Sequence, residues 1–366
     1  MVYSHIDEGL FCGRMCGLSR IVRAAVRGII SVLLGRRQRK PKEDSATLDQ
    51  SAGLSALSGD EVRNIFWHAC NPLEPHVAVA FSSTSHELWA LTQAMRLQLR
   101  SNHEAVAALC HTIGPRRMRG CKKLREARVI ECDKTDNRRL SAADLTMLGT
   151  LGPVLPALEE MRFSCCDTPH DGVHRLVAEL GAGSLPAMTK LAIYYVHVGD
   201  AGAEALAAAL RRGALPRLEN LTLCNAAIGD AGLVSLAPAL RLLPALQELH
   251  LISNPRLGDE GLAALVAPPP PLTGGWPPKG GLTKLKKLGL DYAQITDAGC
   301  AALISAFGSG TLPALETLVL TGIPASAAAQ NAVQKAQLAK QLEMLSDFDL
   351  LSPNHIQLFE QLVSSN

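Results

Sequence analysis

The sequence has few aromatic residues and lacks the common motifs of catalysis. Phe, Trp and Tyr make up 4% of its 366 residues, so aliphatic side chains must fill most of the core. The motifs Gly-x-x-x-x-Gly-Lys-(Ser/Thr), His-Glu-x-x-His and Gly-x-Ser-x-Gly, which serve phosphate binding, zinc catalysis and nucleophilic serine chemistry, do not occur. We therefore expect a protein that is not an enzyme and that needs no cofactor or metal.

Acidic residues are absent from positions 9–42, although the whole chain is close to neutral with a formal charge of +2. The first 42 residues carry nine Arg or Lys, so the remainder is mildly acidic and is not suited to nucleic acid. The apolar stretch from Gly28 to Gly35 is too short to span a bilayer. This basic arm is compatible with an organelle-targeting presequence, an interfacial helix on anionic membrane or a mobile tail.

A disulfide framework is missing as well. The ten Cys residues show no regular spacing, and several fall where a repeat or helix would bury them. Buried free thiols indicate a reducing compartment, so we expect a cytoplasmic protein. Organelle targeting or membrane association through residues 9–42 stays open as the alternative.

One pattern, Leu-x-x-Leu-x-Leu-x-x-(Asn/Cys/Ala), recurs through the second two-thirds of the chain. Its seven copies begin at positions 124, 158, 188, 218, 246, 285 and 315. The spacing stays near 30 residues except for one longer step, which a Pro-rich insertion at 267–281 explains. The alternating apolar positions predict a short strand in each copy. In the first copy, this alignment directs Val129 inward and Ile130 outward.

A second element follows several of the strands. The segments that begin at Val198, Ile228, Leu257 and Ile295 share an Asp two residues later and a Gly four residues later, and apolar residues then recur at helical spacing. The Asp suits the positive end of the helix dipole, and the Gly lets the helix approach its neighbour. Each repeat is therefore predicted to be one strand and one helix, which bury their apolar sides only by stacking.

The seven copies resemble leucine-rich repeats of the ribonuclease-inhibitor type, over roughly residues 120–330. The resemblance implies an α/β leucine-rich-repeat solenoid shaped like a horseshoe, with parallel strands inside and helices outside. It also implies that a protein ligand binds on the concave face of the strands. It does not imply ribonuclease inhibition, because members of this class serve diverse functions.

A separate all-helical module is predicted at residues 57–118. It carries the spacing of the Leu-Pro-x-(Asp/Glu) and Ile-Phe motifs of F-box proteins at Leu57, Asp60, Val62, Ile65 and Phe66. The module therefore resembles an F-box, although Ser58 stands where that family has Pro. The resemblance implies that the five residues dock on the adaptor of an SCF-type ubiquitin ligase. The alternative is a helical cap over the open end of the solenoid.

The third, fifth, seventh and eighth positions of the repeat pattern are expected on the concave side. Three of the four Tyr residues fall there, and exposed Tyr and Arg are typical anchors of protein interfaces. We expect the protein-binding footprint to comprise Arg128, Arg162, Tyr194, Tyr195, His250, Ile252 and Tyr292.

The expected order is a basic arm (1–42), a linker (43–56), the helical module (57–118), the solenoid (119–330) and a helical carboxy-terminal cap (331–366). We expect a monomer that binds a protein and, through the F-box-like module, acts as substrate receptor of a ubiquitin ligase. Two alternatives stay open. One is a ribonuclease-inhibitor-like scaffold or inhibitor with no ubiquitin link. The other is a membrane- or organelle-associated recognition protein.

Overall fold

The chain divides into two compact units in the computed structural model, Met1–Ala107 and Ala108–Asn366. The structure describes residues 59–60, 62–63, 66, 70–113, 121–132, 140–164, 169–268 and 282–346. The predictions for the basic arm, for the linker, for most of the Pro-rich insertion and for the chain after residue 346 lie outside these residues.

The first unit is helical in its described part. Its helices are α1 (His76–Ser82), α2 (His86–Leu91) and α3 (Gln93–Thr112), of which the part up to Ala107 belongs to this unit, and Gly59, Asp60, Val62, Arg63 and Phe66 are also helical. Its core brings together Val62, Phe66, Ala78, Phe81, Leu88 and Leu99. Helix α2 begins after Ser85, whose hydroxyl accepts a hydrogen bond from the Leu88 N–H at 3.1 Å.

The second unit contains one parallel sheet of seven strands in sequence order. The strands are β1 (Val129–Cys132), β2 (Glu160–Ser164), β3 (Lys190–Tyr194), β4 (Asn220–Cys224), β5 (Glu248–His250), β6 (Lys287–Gly289) and β7 (Thr317–Val319). The helices are α4 (Cys121–Arg125), α5 (Ala142–Thr150), α6 (Gly172–Ala178), α7 (Gly199–Arg211), α8 (Asp230–Leu240), α9 (Asp259–Val266), α10 (Asp297–Gly308) and α11 (Ala327–Ser346), with a short 3-10 helix at Gly152–Val154. The predicted α/β solenoid with one strand per repeat is confirmed.

The core lies between the strands and the helices. In β4 the apolar residues Leu221 and Leu223 are fully buried, and they are in register with Leu191 and Ile193 of β3. Helix α8 contributes Leu236 to this layer of aliphatic side chains. The few aromatic residues are therefore compatible with a core built from repeated thin layers.

The first repeat differs from its predicted alignment. In β1, Ile130 is fully buried and pairs with Met161, whereas the Val129 side chain is 46% exposed. The prediction that Val129 points inward and Ile130 outward was wrong. Leu124 misled the alignment because it belongs to α4 and is buried there, three residues before the true start of the repeat. A shift by an odd number of residues exchanges the two faces of a strand.

Asn254, at the ninth position of the fifth copy, is completely buried between two repeats. Its Oδ1 accepts hydrogen bonds from the N–H groups of Ala226 and Ile228, both at 3.1 Å. Its Nδ2 donates to the carbonyl oxygens of Leu223 and Leu251, both at 2.8 Å. The amide thus satisfies backbone groups of the preceding repeat and of its own where the chain leaves the sheet, and no apolar side chain could do so.

The recurring Asp and Gly residues couple each helix to the next. The Oδ1 atom of Asp230 accepts hydrogen bonds from the N–H groups of Gly258 at 2.7 Å and Gly261 at 2.8 Å, at the start of the following helix. A Cβ atom on Gly261 would lie 2.7 Å from this oxygen and 3.2 Å from the Asp230 Cα atom. The predicted role of the Gly in close helix approach is confirmed. The Asp additionally caps the helix of the next repeat.

Side chains of α11 take the place of an eighth strand beside the last repeat. The Glu316 carbonyl accepts hydrogen bonds from the side-chain amides of Gln337 at 2.9 Å and Gln341 at 2.7 Å, both in α11. In interior repeats the equivalent carbonyl, such as that of Glu159, accepts two backbone N–H groups from the next repeat. Helix α11 therefore supplies to the last strand the donors that a further repeat would supply.

Replacing Gly261 by Ala should lower the free energy of unfolding by about 1–3 kcal/mol, because the new Cβ would separate α9 from Asp230. Gly308→Ala is the matched control, since no atom lies within 4 Å of its Cβ position. That change should be neutral or stabilise by up to about 1 kcal/mol. Urea unfolding measures both, and equal losses would contradict the proposed coupling.

Candidate protein-binding face

The side of the sheet that faces away from the helices is called the strand face here. Because side chains alternate along a strand, it receives the residues between the buried leucines and those that follow each strand. Its described members are Val129, Glu131, Glu160, Arg162, Ser164, Lys190, Ala192, Tyr194, Tyr195, Asn220, Thr222, Cys224, Asn225, Glu248, His250, Ile252, Ser253, Lys287, Gly289, Asp291, Tyr292, Thr317, Val319, Thr321 and Gly322. It contains six of the seven predicted footprint residues.

Arg128 is the predicted residue that does not occupy the expected strand position. It precedes β1, and its carbonyl accepts the N–H groups of Glu159 and Glu160. Its side chain is 74% exposed and lies 3.6 Å from the carboxylate of Glu159. Because the first repeat starts three residues later than predicted, Glu131 takes the place on the sheet that was expected for Arg128.

The cations of β2 and β3 are held by carboxylates on the same face. The Arg162 guanidinium lies 2.7 Å from Glu160 and 2.9 Å from Glu131, and Lys190 lies 3.0 Å from Glu160. Burial opposes the charge on Glu160, but hydrogen bonds from Lys190 and Arg162 outweigh it and lower the pKa of this carboxyl. The same network raises the pKa of Arg162, chiefly through its hydrogen bond with Glu160. Arg162 is thus already paired within the protein.

A second charged group connects β4, β5 and β6. The Glu248 carboxylate lies 2.7 Å from Lys287 and 3.5 Å from the Nε2 atom of His250, and it accepts a hydrogen bond from the Asn220 amide. Hydrogen bonding from Lys287 is the main cause that lowers the pKa of Glu248. His250, the third basic residue of the predicted footprint, therefore also has a partner on the face.

The turn after each strand brings side chains out of the sheet. Tyr195, Asn225, Ser253 and Tyr292 have φ angles of 54°, 49°, 57° and 58°, in the left-handed region. The backbone N–H of each of these residues donates to a carbonyl of the next repeat, at 2.8 to 3.0 Å. The Tyr195 and Tyr292 side chains remain 63% and 58% exposed. These hydrogen bonds fix two exposed aromatic rings on an ordered backbone.

Glycines of the next repeat make room for three of the predicted anchors. A Cβ atom on Gly322 would lie 2.6 Å from the Tyr292 ring, which rests on this backbone. A Cβ atom on Gly289 would lie 3.0 Å from the His250 ring and 3.3 Å from Ile252. Tyr292, His250 and Ile252 are therefore supported by glycine backbone from the following repeat.

Four of the predicted residues share the end of the strands at which the chain leaves the sheet. We call them the aromatic edge, which comprises Tyr194, Tyr195, Ile252 and Tyr292. Tyr194 and Ile252 are half-buried, whereas Tyr195 and Tyr292 are exposed. Neutral side chains of Asn225 and Ser253 lie along the same edge.

Sequence reasoning missed the carboxylates and lysines that neutralise the face. A signal was present, because the third position of successive copies reads Glu160, Lys190, Asn220, Glu248 and Lys287. Opposite charges on adjacent strands at the same register favour cross-strand pairs. It also missed Asp291, a largely buried carboxylate that accepts the Thr321 N–H at 3.1 Å.

The F-box-like residues fall into two groups. Val62 and Phe66 are buried in the core of the helical unit, so they can serve docking only by maintaining its fold. Asp60 is exposed and pairs with Arg63 at 2.7 Å. Leu57 and Ile65 lie outside the described residues.

Burial disfavours the reactive, deprotonated form of two thiols in the described part of the chain. Burial raises the pKa of the Cys70 thiol to about 11, and the pKa of Cys110 to about 12, with the neighbouring Cys121 adding to the latter shift. These thiols are therefore protonated near neutral pH. Among residues that the structure describes, no three His, Cys, Asp or Glu side chains are grouped to hold a metal ion. No described helix has the length and hydropathy needed to cross a membrane.

Comparison with known proteins supports the repeat assignment. Residues 244–266, which include β5 and all of α9, match the family described as Leucine Rich repeat. The other strands lie beside β5 in sequence order in the same sheet, so each belongs to a repeat of the same kind. The chain therefore has the fold of a leucine-rich-repeat solenoid. This agrees with the coarser part of the predicted resemblance.

The leucine-rich repeat chain is also similar to a solved structure of an internalin from Listeria monocytogenes. The similarity has 12% sequence identity and a TM-score of 0.26, and it covers 63% of this chain and 78% of the internalin chain. No curated protein matches the sequence. The assignment therefore rests on the strand register and the matched repeat.

Glu248→Gln should remove a pH-dependent contribution to the stability of the leucine-rich repeat unit. Because the folded-state pKa of Glu248 is lowered below its ordinary value of 4.5, the charged group stabilises the fold above that pH. This stabilisation is lost as the pH falls below 4.5. Urea unfolding at pH 6 should show a loss of about 1 kcal/mol in the variant, which diminishes at pH 3.5.

The control is Glu316→Gln, because Glu316 is 3.5 Å from Lys286 and its side chain is 64% exposed. It should change stability less than Glu248→Gln at pH 6. A Glu248 variant that matches the unmodified protein at both pH values would contradict the cross-strand network.

Proposed function

We propose that this leucine-rich repeat protein is a non-enzymatic interaction molecule that binds a protein partner on the strand face, which is concave in a solenoid of this kind. The observation that carries the proposal is the aromatic edge. The backbones of its two exposed residues, Tyr195 and Tyr292, are held by hydrogen bonds to the next repeat, and the Tyr292 ring also rests on Gly322. Rigid, exposed Tyr side chains lose little entropy on binding and are typical anchors of interfaces.

The charged residues of the strand face and the aromatic edge have different roles in this proposal. Arg162, Lys190 and Lys287 already contact carboxylates, so they offer a partner little unbalanced charge. Breaking such pairs to bind a new charge would leave a carboxylate without its partner. The aromatic edge accordingly provides most of the affinity, and the paired charges form a polar rim that favours a partner of matching shape.

We further propose that the protein acts as substrate receptor of an SCF-type ubiquitin ligase. The support is the sequence of the helical unit and its geometry. Val62 and Phe66 form a core with α1, α2 and α3, and this core leaves Asp60 exposed on the same helical segment. In this proposal the helical unit docks on the adaptor, the ribonuclease-inhibitor-like repeats hold the substrate, and the protein raises substrate concentration near the ligase.

Replacing Tyr194, Tyr195 and Tyr292 together by Ala should abolish partner capture, because truncation of an interface anchor costs at least about tenfold in affinity. Tyr3→Ala is the matched control, since Tyr3 is the one Tyr outside the strand face. The measurement is quantitative affinity capture with mass spectrometry, followed by titration of each purified partner. Full affinity of the triple variant for every captured partner would refute binding at the aromatic edge.

Adaptor binding is tested with the full-length protein and a purified SCF adaptor. Leu57→Asp should abolish adaptor binding and leave partner capture intact, whereas the triple Tyr variant should do the reverse. If the unmodified protein does not bind the adaptor while partner capture still depends on the Tyr residues, the helical unit is a cap and the protein is a scaffold or inhibitor. Localisation with and without residues 1–42 separates the cytoplasmic proposal from membrane or organelle association.

A further inference from the structure

The helical unit contains a groove with a volume of about 530 Å³. Its lining comes from α1, α2 and α3 and includes Val79, Trp89, Arg96, Leu97, Leu99 and Arg100. Asp60, Val62 and Phe66 do not line it. The groove is therefore a feature separate from the F-box-like residues in the described part of the unit, and from the strand face.

Large apolar side chains that line this groove are exposed to solvent. Trp89 is 45% exposed and Leu97 is 63% exposed, which is unusual for side chains of this size. Leu99, deeper in the groove, is buried in the core of the unit. A contiguous exposed patch of this kind around a concave surface is typical of an interaction site.

The Arg96 guanidinium is held in the groove by Trp89. The Arg96 guanidinium carbon lies 3.2 Å from the centre of the Trp89 ring, and its Nη2 donates to the Trp89 carbonyl at 2.7 Å. Its Nε is buried without an acceptor among the described residues. Burial also lowers the pKa of Arg96. Among the described residues no carboxylate lies within ion-pair distance of this guanidinium, and partial loss of water strengthens its attraction for an anion.

The polar groups along one wall follow the axis of α3. Arg96 and Arg100 are one helical turn apart, and Glu104 is one turn further, so the polar row extends about 12 Å. Arg100 pairs with Glu104 at 3.0 Å, with both side chains largely exposed. Such an exposed pair is worth little and exchanges readily for a new partner. The row therefore suits an elongated occupant with carboxylates at a matching spacing.

We propose that this groove binds an amphipathic helix of a second protein that presents two carboxylates one turn apart beside apolar residues. The carboxylates meet Arg96 and Arg100, and the apolar residues cover Trp89 and Leu97. A helix fits because residues at i and i+4 share one face, as Arg96 and Arg100 do on α3. The proposal does not depend on what the strand face binds.

The test uses the full-length protein and a fluorescein-labelled helical peptide with Leu on one face and two Glu residues four positions apart. A matched peptide carries Gln at both positions. Polarisation titration should show that the Glu peptide binds about tenfold more tightly, and that added salt removes most of the difference. Arg96→Gln should weaken the Glu peptide about tenfold and leave the Gln peptide almost unchanged.

Two further variants keep the result interpretable. Arg100→Gln changes a largely exposed side chain, so it should weaken the Glu peptide severalfold even if Arg96→Gln disturbs folding. Arg175→Gln is the control, because Arg175 is an exposed Arg of the repeat unit that also pairs with an acid four residues away. It should leave binding of both peptides unchanged.

Several outcomes would overturn the proposal. Equal affinity for the two peptides, or unchanged Glu-peptide binding in both groove variants, would remove the role of the two cations. Arg96-dependent binding to phosphatidylcholine–phosphatidylserine vesicles, without competition by the Glu peptide, would assign the groove to a lipid surface. Concentration-dependent self-association that Leu97→Glu abolishes would assign it to a second copy of this chain.

Discussion

The hydrogen bond from one repeat's Asp to the next repeat's helix is the interaction on which the solenoid depends. A helix begins with N–H groups that its own backbone does not satisfy, and here the preceding repeat satisfies them. The pairs are Asp200 with Gly229 and Gly232, Asp230 with Gly258 and Gly261, Asp259 with Thr296, and Asp297 with Ser326. Gly232, Gly261 and Gly299 are needed because the carboxylate of the previous repeat's Asp occupies the space of a side chain there. Helix spacing and helix initiation are therefore set by the same contact.

The first and the last repeat of such a chain each lack a neighbour on one side. Their exposed backbone groups and apolar side chains must be satisfied by something other than a further repeat. At the carboxy-terminal end Ser326 donates through both its N–H and its hydroxyl to Asp297, as a further repeat would. The amides of Gln337 and Gln341 then serve the Glu316 carbonyl. The polar composition of α11 follows from this role, because its side chains must supply hydrogen-bond donors to an exposed strand as well as cover apolar residues.

The parts of the fold that the sequence could predict are those with a local period. Alternation of apolar residues placed Leu221 and Leu223 inward, and the same signature repeated six more times indicated a parallel sheet. The first copy was misaligned because a buried Leu in α4 is indistinguishable in sequence from the first Leu of a repeat. Pairing of Arg162 with Glu131 and Glu160 depends on which residues of β1 and β2 are neighbours, so it required the correct register. The Asp caps were missed for a similar reason, since each joins positions about 30 residues apart.

Coupling between repeats also bears on the binding proposed for the strand face. Tyr195 and Tyr292 are separated by three strand spacings, or about 14 Å, and each has its backbone bonded to the following repeat. A shift of one Tyr backbone relative to the other would therefore have to break hydrogen bonds between repeats. Because neighbouring charges already neutralise each other, the proposed partner would gain little from charge alone and would have to fit the separation of the two Tyr residues. In the proposed complex, selectivity at this face would follow from the same stacking that stabilises the fold.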